Sequence, residues 1–261
     1  MTEAEAPLSR RERQRQATLA EIIDVSRRLV RSSPGDLSLR AVAAEMGMTA
    51  PALYRYIDGH DALQLLISQA ILQDVERVVT EARAAHPDDD PALQLIAMSL
   101  AFREWALAQA EEFALVFANV AIRNQTDQTR SAGLGFADVF GEVFIAAHRK
   151  YSFPLRDASE LEPEIVEALE SGREQRSLPC SFPGEPIGLV WLFLRCWARL
   201  YGLVTLEVFK HMDEPVVTSG GLYLAMLDDL AVELRFGEDW LRHRDWVRER
   251  LRIPTGPGGV A

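Results

Sequence analysis

The chain has 261 residues, 48% of them apolar, and a formal net charge of −11. That size and apolar share suffice for a sizeable core, and two unequal domains suit the length. The two cysteines, Cys180 and Cys196, form no CxxC, which argues against a disulfide scaffold or zinc site and for a reduced, cytoplasmic protein.

The opening residues MTEAEAPLSRRERQRQ lack an apolar stretch, so no signal peptide is expected. The longest apolar run, 187–206, contains Arg195 and Arg199 near its middle. Each would cost about 2.5–3.5 kcal/mol at a bilayer centre, so the run reads as a buried core helix and not as a membrane span. Charge is unevenly spread. Residues 10–57 hold nine arginines against five acids, whereas residues 58–261 hold 19 basic and 32 acidic side chains. Only the basic end of such a chain can approach phosphates.

Helical periodicity dominates throughout, with no convincing alternating strand. Leu19, Ile22, Ile23, Ser26, Leu29 and Val30 share one face of a first helix. Ser32-Ser33-Pro34-Gly35-Asp36 is a strong stop. Ser38 is placed to cap a short second helix over 39–46, which Gly47 ends by accepting left-handed geometry. Thr49 can then cap a third helix from Ala50 to about Ile57, with Pro51 in the first turn, where its missing N–H costs nothing. Asp58-Gly59 breaks the chain, and a long fourth helix is predicted from about His60 to Ala85. Further helices are predicted at roughly 91–109, 111–122, 130–150, 159–173, 185–212, 218–236 and 238–252. The Pro- and Gly-rich tail is expected to be disordered.

Residues 39–57, LRAVAAEMGMTAPALYRYI, have the makings of a helix-turn-helix. Ala43 and Ala44 permit a close crossing, Leu39, Val42, Met46 and Leu53 supply apolar contacts, and Gly47-Met48-Thr49 supplies the turn. The outer face of the third helix is then free for a major groove, which accepts one α-helix. An ordinary helical hairpin would share the spacing.

Residues 15–70, and especially LRAVAAEMGMTAPALYRYIDGHDAL, resemble the N-terminal domain of the TetR family of transcriptional regulators. The resemblance implies an all-α homodimer with a three-helix head, joined by the long fourth helix to a larger ligand-binding and dimerisation domain. It implies binding of a palindromic double-stranded DNA operator, commonly released by a small molecule. The expected division is 1–59 for the DNA-binding head, 60–252 for the effector and dimerisation domain, and 253–261 for the tail. By this resemblance Thr49, Ala50, Pro51, Ala52 and Tyr54 occupy recognition-helix positions, and Tyr54 and Tyr56 fall where phosphates are usually contacted. Ser38 and Arg40 open the second helix as phosphate contacts, and Arg55 faces either the DNA or an acid on the head. His60 stands where the family commonly has a lysine, which implies a weaker, pH-dependent phosphate contact. Arg10, Arg11, Arg13 and Arg15 read equally as a minor-groove arm, a phosphate clamp or the solvated start of the first helix.

The segment RCWARLYGLVTLEVFKHM resembles the effector domain of a TetR subgroup marked by a Trp followed by His-Gly in its penultimate long helix. Here Trp197 and Tyr201-Gly202 stand in that pattern, with Tyr in place of His. At 100° per residue, Val190, Phe193, Trp197, Leu200 and Val204 share one face. Gly188, Arg195, Arg199, Gly202 and Leu206 share roughly the opposite face, which is expected to meet a second copy. Leu222, Met226, Leu230 and Leu234, at four-residue steps, would complete a four-helix bundle, with Arg195 or Arg199 paired to Asp228 or Asp229. Most of the body's aromatic residues are core, while Phe102, Trp105, Phe117, Phe140, Phe144 and Trp197 are candidates for a cavity holding an apolar or aromatic effector.

The alternatives are a DNA-binding activator or ligand-free regulator, an acidic scaffold and an all-α enzyme. Of the acid–base candidates Glu104, Asp138, Glu142 and His148, Glu142 and His148 are six apart and face different sides of a helix. No nucleophile elbow, metal-ligand set or phosphate loop is present in the sequence, so no catalytic residue, metal or cofactor is assigned.

Overall fold

Helix α1, Arg10–Ser32, starts where two side chains satisfy its first backbone groups. The Ser9 hydroxyl accepts from the Glu12 amide at 3.2 Å, and the Ser9 amide donates to the Glu12 carboxylate at 2.8 Å. Such a cap contributes about 1 kcal/mol. The helix buries Ile22, Val25, Ser26 and Val30, while Leu19, Ile23 and Leu29 are half-buried. The computed structural model describes residues 9–33, 35, 37–118, 127–174 and 182–253, with side chains for all of these except 118 and 127–135. Pro34 and Asp36 of the stop signal, Cys180, the end of the helix expected at 111–122 and the tail 254–261 lie outside the described residues.

Helix α2, Leu39–Glu45, is capped by the Ser38 hydroxyl, which accepts from the Ala41 amide at 3.2 Å. It ends as the sequence predicts, with Gly47 at φ +64°. The Gly47 amide donates to the Ala44 carbonyl at 3.1 Å and the Met48 amide to the Ala43 carbonyl at 2.8 Å, which is a Schellman closure. Helix α3, Ala50–Leu53, is shorter than expected, and residues 54–56 continue it only as turns. At the crossing, Ala43 is buried but Ala44 is exposed, so a single small residue makes the close approach. Helix α4, Gly59–Ala84, follows.

The chain divides into two units: Met1–Leu72 with Glu111–Thr129, and Gln73–Ala110 with Arg130–Ala261. In the first unit, the helix expected at 111–122 begins as a short helix α6, Ala110–Phe113, and passes into a π-helical turn, Ala114–Ala118. Its anchor is Glu112, which is wholly buried. Arg27 of α1 donates to both Glu112 carboxylate oxygens, at 2.9 and 2.6 Å, and Arg31 donates to one of them at 2.8 Å. Charge-assisted, bidentate bonding is what makes a buried carboxylate tolerable.

The second unit contains α5, Pro91–Ala108, most of α7, Asp127–Tyr151, and α8, Pro163–Glu174. It also contains α9, Ile187–Val208, α10, Glu214–Thr218, α11, Gly221–Glu233, and α12, Gly237–Arg250. Among the described residues there is no strand. The helix expected over 218–236 is interrupted at Gly220, whose φ of +64° separates α10 from α11. Helix α9 packs on α5, α8 and α11, and α12 packs on α5 and α11. By length and composition α9 is apolar enough to cross a membrane. Its Leu189, Val190, Leu192 and Phe193 are instead buried in this unit, as the sequence predicts.

An aromatic cluster forms the centre of the second unit. Phe102 lies 5.2 Å from Phe136 and 5.7 Å from Trp197, ring centre to ring centre, and Phe140 lies 6.0 Å from Trp197. Beside it, α5 and α9 share a buried ion pair between Arg103 and Glu207.

Gly188, expected on a face open to a second copy, is buried within its own unit. A Cβ there would stand 2.1 Å from the Arg156 carbonyl oxygen, which is backbone and cannot swing aside. Gly188→Ala is therefore expected to lower stability by about 1–3 kcal/mol, seen as a lower urea midpoint at fixed protein concentration. Gly202→Ala, where an added Cβ meets nothing within 4 Å, should leave that midpoint nearly unchanged.

Candidate nucleic-acid interface and ligand cavity

The head presents a short, exposed segment on a buried anchor. Leu53 and Ile57 are buried, and Leu53 is fully so. Between and before them, Thr49, Pro51, Tyr54 and Arg55 are exposed, while Ala50, Ala52 and Tyr56 are half-buried. Thr49 occupies the N-cap position of α3 but makes no side-chain capping bond. Its hydroxyl is thus not committed to holding the helix. Tyr54 is 56% exposed, so much of its ring and its hydroxyl are available to a partner. The guanidinium of Arg15 lies 5.9 Å from the centre of the Tyr56 ring, a cation–π contact that orients both. Ser38 spends one lone pair on its cap and keeps its hydroxyl proton for an outside acceptor. Arg40 and His60 are exposed, one in α2 and the other in the first turn of α4. These ten residues span 38–60 and all belong to the first unit.

The second unit holds a half-open apolar cavity of about 70 Å³, walled by α5, α7, α9 and α11 with Leu234, Phe236 and Trp240. Three of the predicted cavity residues line it: Phe140, Phe144 and Trp197. Three do not. Phe102 is fully buried against Phe136 and Trp197, one layer behind the wall. Trp105 is also buried away from the cavity. Phe117 belongs to the first unit and stacks on Phe113 at 5.0 Å. Met226 and Leu230, expected at a contact with a second copy, are half-buried and line the cavity.

Few polar groups reach this wall. The Ser99 hydroxyl donates to the Ile96 carbonyl at 2.8 Å. The Cys196 thiol is pushed up to about 12 by burial, with Glu233 adding to the shift, so it stays protonated and behaves as an apolar group. Ser99, Ile96 and Trp240 are wall residues that sequence reasoning missed, whereas Phe193 and Leu200 lie on the same α9 face as Trp197. Only the four-residue steps of the helices hinted at them.

A family model for the tetracyclin repressor-like C-terminal domain matches residues 95–230, more than half of the chain. The chain belongs to the TetR family. It is therefore a helix-turn-helix, DNA-binding transcriptional regulator, and the family indicates a regulator, not an enzyme. Among similar proteins are the HTH-type transcriptional regulators Rv1816 of Mycobacterium tuberculosis and Mb1846 of Mycobacterium bovis. Each is 29% identical over 205 residues, covering 78% of this chain and 86% of the relative. The crystal structure of the regulatory protein SCO4313 superposes with a TM-score of 0.65 at 25% identity, over 85% of this chain and 98% of that one. A structure from Rhodococcus sp. RHA1, at 16% identity and TM-score 0.59, covers 87% of this chain and 98% of its own and shares the fold.

In this TetR-family chain the residues expected at the dimer contact separate into two groups. Leu206 and Leu222 are exposed apolar side chains, and Gly202 is half-buried with open space beside it. Gly188 is buried, and Met226 and Leu230 are half-buried at the rim and wall of the half-open cavity. Arg195 and Arg199 do pair with α11, but with Glu233: Arg195 at 2.9 Å, and Arg199 closely. The expected partner Asp228 is taken by Arg244, at 2.6 and 3.0 Å, and by the Trp240 indole N–H at 2.9 Å. These bonds, the guanidinium of Arg244 first, hold the Asp228 carboxyl below the usual carboxylate range.

Proposed function

We propose that this chain is a cytoplasmic repressor that binds a palindromic operator as a homodimer and releases it when a small, uncharged apolar or aromatic effector enters the second unit. The apolar cavity beside Phe140, Phe144 and Trp197 carries this reading. No charged side chain is among its lining residues, so an ionic effector would lose its hydration without gaining a partner.

The size of the cavity supports a switch. About 70 Å³ is well below the roughly 150 Å³ that accommodates benzene in an engineered protein cavity. Full burial of an effector of ordinary size would require a wall helix to move. Helices α9 and α11 form two of those walls and also carry the exposed Leu206 and Leu222 of the proposed dimer contact. Ligand entry would then alter how the two copies meet. Two heads on one duplex must match half-sites about 34–36 Å apart, or a multiple of that. A coupling of about 1–3 kcal/mol between effector and operator suffices for derepression. On this reading residues 1–59 form the DNA-binding domain and 60–252 the sensing and dimerising domain. Thr49, Ala50, Pro51, Ala52 and Tyr54 enter the major groove, and Ser38, Arg40, Arg55, Tyr56 and His60 hold the backbone.

The test uses the purified protein on DNA flanking its own gene, at several salt concentrations. Tyr54→Ala and Tyr56→Ala are each expected to weaken binding about tenfold, as losses of about 1–1.5 kcal/mol do. A panel of neutral aromatic compounds is then screened for release of the DNA. Leu230→Trp, which fills the cavity, should abolish release while leaving DNA affinity within about twofold. Release that survives Leu230→Trp would remove the cavity from the mechanism, and an operator complex insensitive to the whole panel would favour a regulator without a small-molecule ligand.

A further inference from the structure

The start of α1 carries a second basic surface. A groove in the first unit is lined by residues 9–12, 14 and 15 of α1 together with Arg55 and Tyr56. It carries four arginines, Arg10, Arg11, Arg15 and Arg55, against the single carboxylate of Glu12. The chain as a whole has a net charge of −11, so this is a strong local reversal.

We propose that this groove is a preformed clamp for the DNA phosphate backbone, adding a second anchoring point beside the recognition segment. It rests on the reading of the head as the DNA-binding surface.

Three observations carry it. First, none of Arg10, Arg11, Arg15 and Arg55 has a carboxylate partner among the described residues. Two other arginines of the same helix, Arg27 and Arg31, are both paired with Glu112. Arg11 and Arg15 lie one helical turn apart, an arrangement in which like charges repel. Among the described residues no acid pairs with them, which leaves their charge available to an external anion. Second, the groove is built before any ligand arrives. The Ser9–Glu12 capping box fixes the first turn of α1 and occupies the one carboxylate, while the contact of Arg15 with the Tyr56 ring joins α1 to the end of the recognition segment. Third, the helical form decides between the two kinds of DNA contact open to these arginines. A helix with its side chains is about 10–12 Å across. The minor groove of B-DNA is about 6 Å wide, so a helical segment cannot enter it as an extended arm would. The major groove accepts one helix, and the recognition segment takes that place. The arginines on α1 are left with the phosphates.

The experiment measures fluorescence anisotropy on two labelled duplexes, one of mixed sequence and one selected from a random pool for tight binding. The full-length chain is compared with the Arg11→Ala/Arg15→Ala and Arg11→Lys/Arg15→Lys double variants and with Thr49→Glu. Each phosphate contact contributes about −0.9 to the slope of log affinity against log salt. The alanine pair should make the slope shallower by about 2 on both duplexes. It should weaken binding on the order of tenfold at moderate salt and leave the ratio of selected to mixed-sequence affinity unchanged. The lysine pair should keep most of the slope, because it retains both charges. Melting curves should coincide for all forms, since the substituted side chains are exposed. An unchanged slope in the alanine pair overturns the clamp while DNA binding itself stands. A change in the affinity ratio without a change in slope also overturns it, in favour of base reading. If the wild-type chain binds neither duplex and Thr49→Glu changes nothing, the DNA-binding reading of the head fails, and the clamp with it.

Discussion

Arg103→Met is expected to lower the unfolding free energy by about 3–5 kcal/mol, the largest stability loss from any single substitution considered for this chain. Arg103 is almost fully buried, and its guanidinium holds Glu207 through two bonds of 2.6 and 3.0 Å. A third bond, 3.1 Å long, runs to the Val217 carbonyl, and the guanidinium lies 4.9 Å from the centre of the fully buried Tyr223 ring. One side chain therefore joins α5 to α9, to α10 and to the start of α11. Methionine fills most of the space but leaves Glu207 charged or protonated in an apolar interior with no donor from Arg103. The control is the double variant Arg103→Met/Glu207→Leu. Replacing both members of a buried pair by apolar groups is often neutral or even stabilising, so the double variant should recover most of the loss. Urea unfolding at one fixed protein concentration separates the two cases, since dimer formation makes stability concentration-dependent. Equal losses in the single and double variants would mean that packing, and not the uncompensated charge, sets the cost.

Thr49→Glu is expected to reduce operator affinity by about a hundredfold with almost no change in melting temperature. The two halves of that statement have different causes. Thr49 is exposed and makes no side-chain cap to α3, so the head loses little when it is replaced. A glutamate there would stand against the negative surface of DNA, where a solvated like charge costs about 1–2 kcal/mol. Loss of a base or phosphate contact adds about 1 kcal/mol, and about 3 kcal/mol in all corresponds to a hundredfold. Thr49→Gln, which carries no charge, should lie between the wild type and Thr49→Glu. Binding by Thr49→Glu at wild-type strength would mean that α3 is not the element that enters the groove.

The contrast between these two sites shows what a sequence makes legible. The head is written in local signals. Ser38 caps α2, Gly47 adopts the left-handed conformation that ends it, and Pro51 sits in the first turn of α3. Each depends on neighbours within about four residues, and each was readable from the order of residues alone. The long helices of the body were readable for the same reason, because a 3.6-residue period identifies a helix whatever it packs against, whereas the short α10 was not.

Non-local partners were not readable. Periodicity marked Leu222, Met226 and Leu230 as one stripe, yet Leu222 is exposed while the other two line the cavity. The direction of a stripe depends on which helices surround it. Arg195 and Arg199 were correctly expected to meet α11, but their partner is Glu233, a turn beyond Asp229. A shift of one turn changes no periodicity and leaves no trace in the sequence. Among the glycines, Gly188 and Gly202 look equivalent on α9, but only Gly188 has a backbone carbonyl against it.

The order of residues thus determined an all-helical chain, a basic three-helix tip with its turn chemistry, and an acidic body rich in aromatic side chains. Caps, turns and amphipathic periods act over a few residues, and their energies are local. Tertiary structure alone decided that Glu112 is clamped by Arg27 and Arg31, that Arg103 finds Glu207 across the body, and that Phe140, Phe144 and Trp197, but not Phe102, border a cavity. These partners lie some 80 to 100 positions apart in the first two cases, and their meeting follows from how whole helices pack. Burial is favourable against any apolar neighbour, so the hydrophobic effect selects a face without naming what that face will touch.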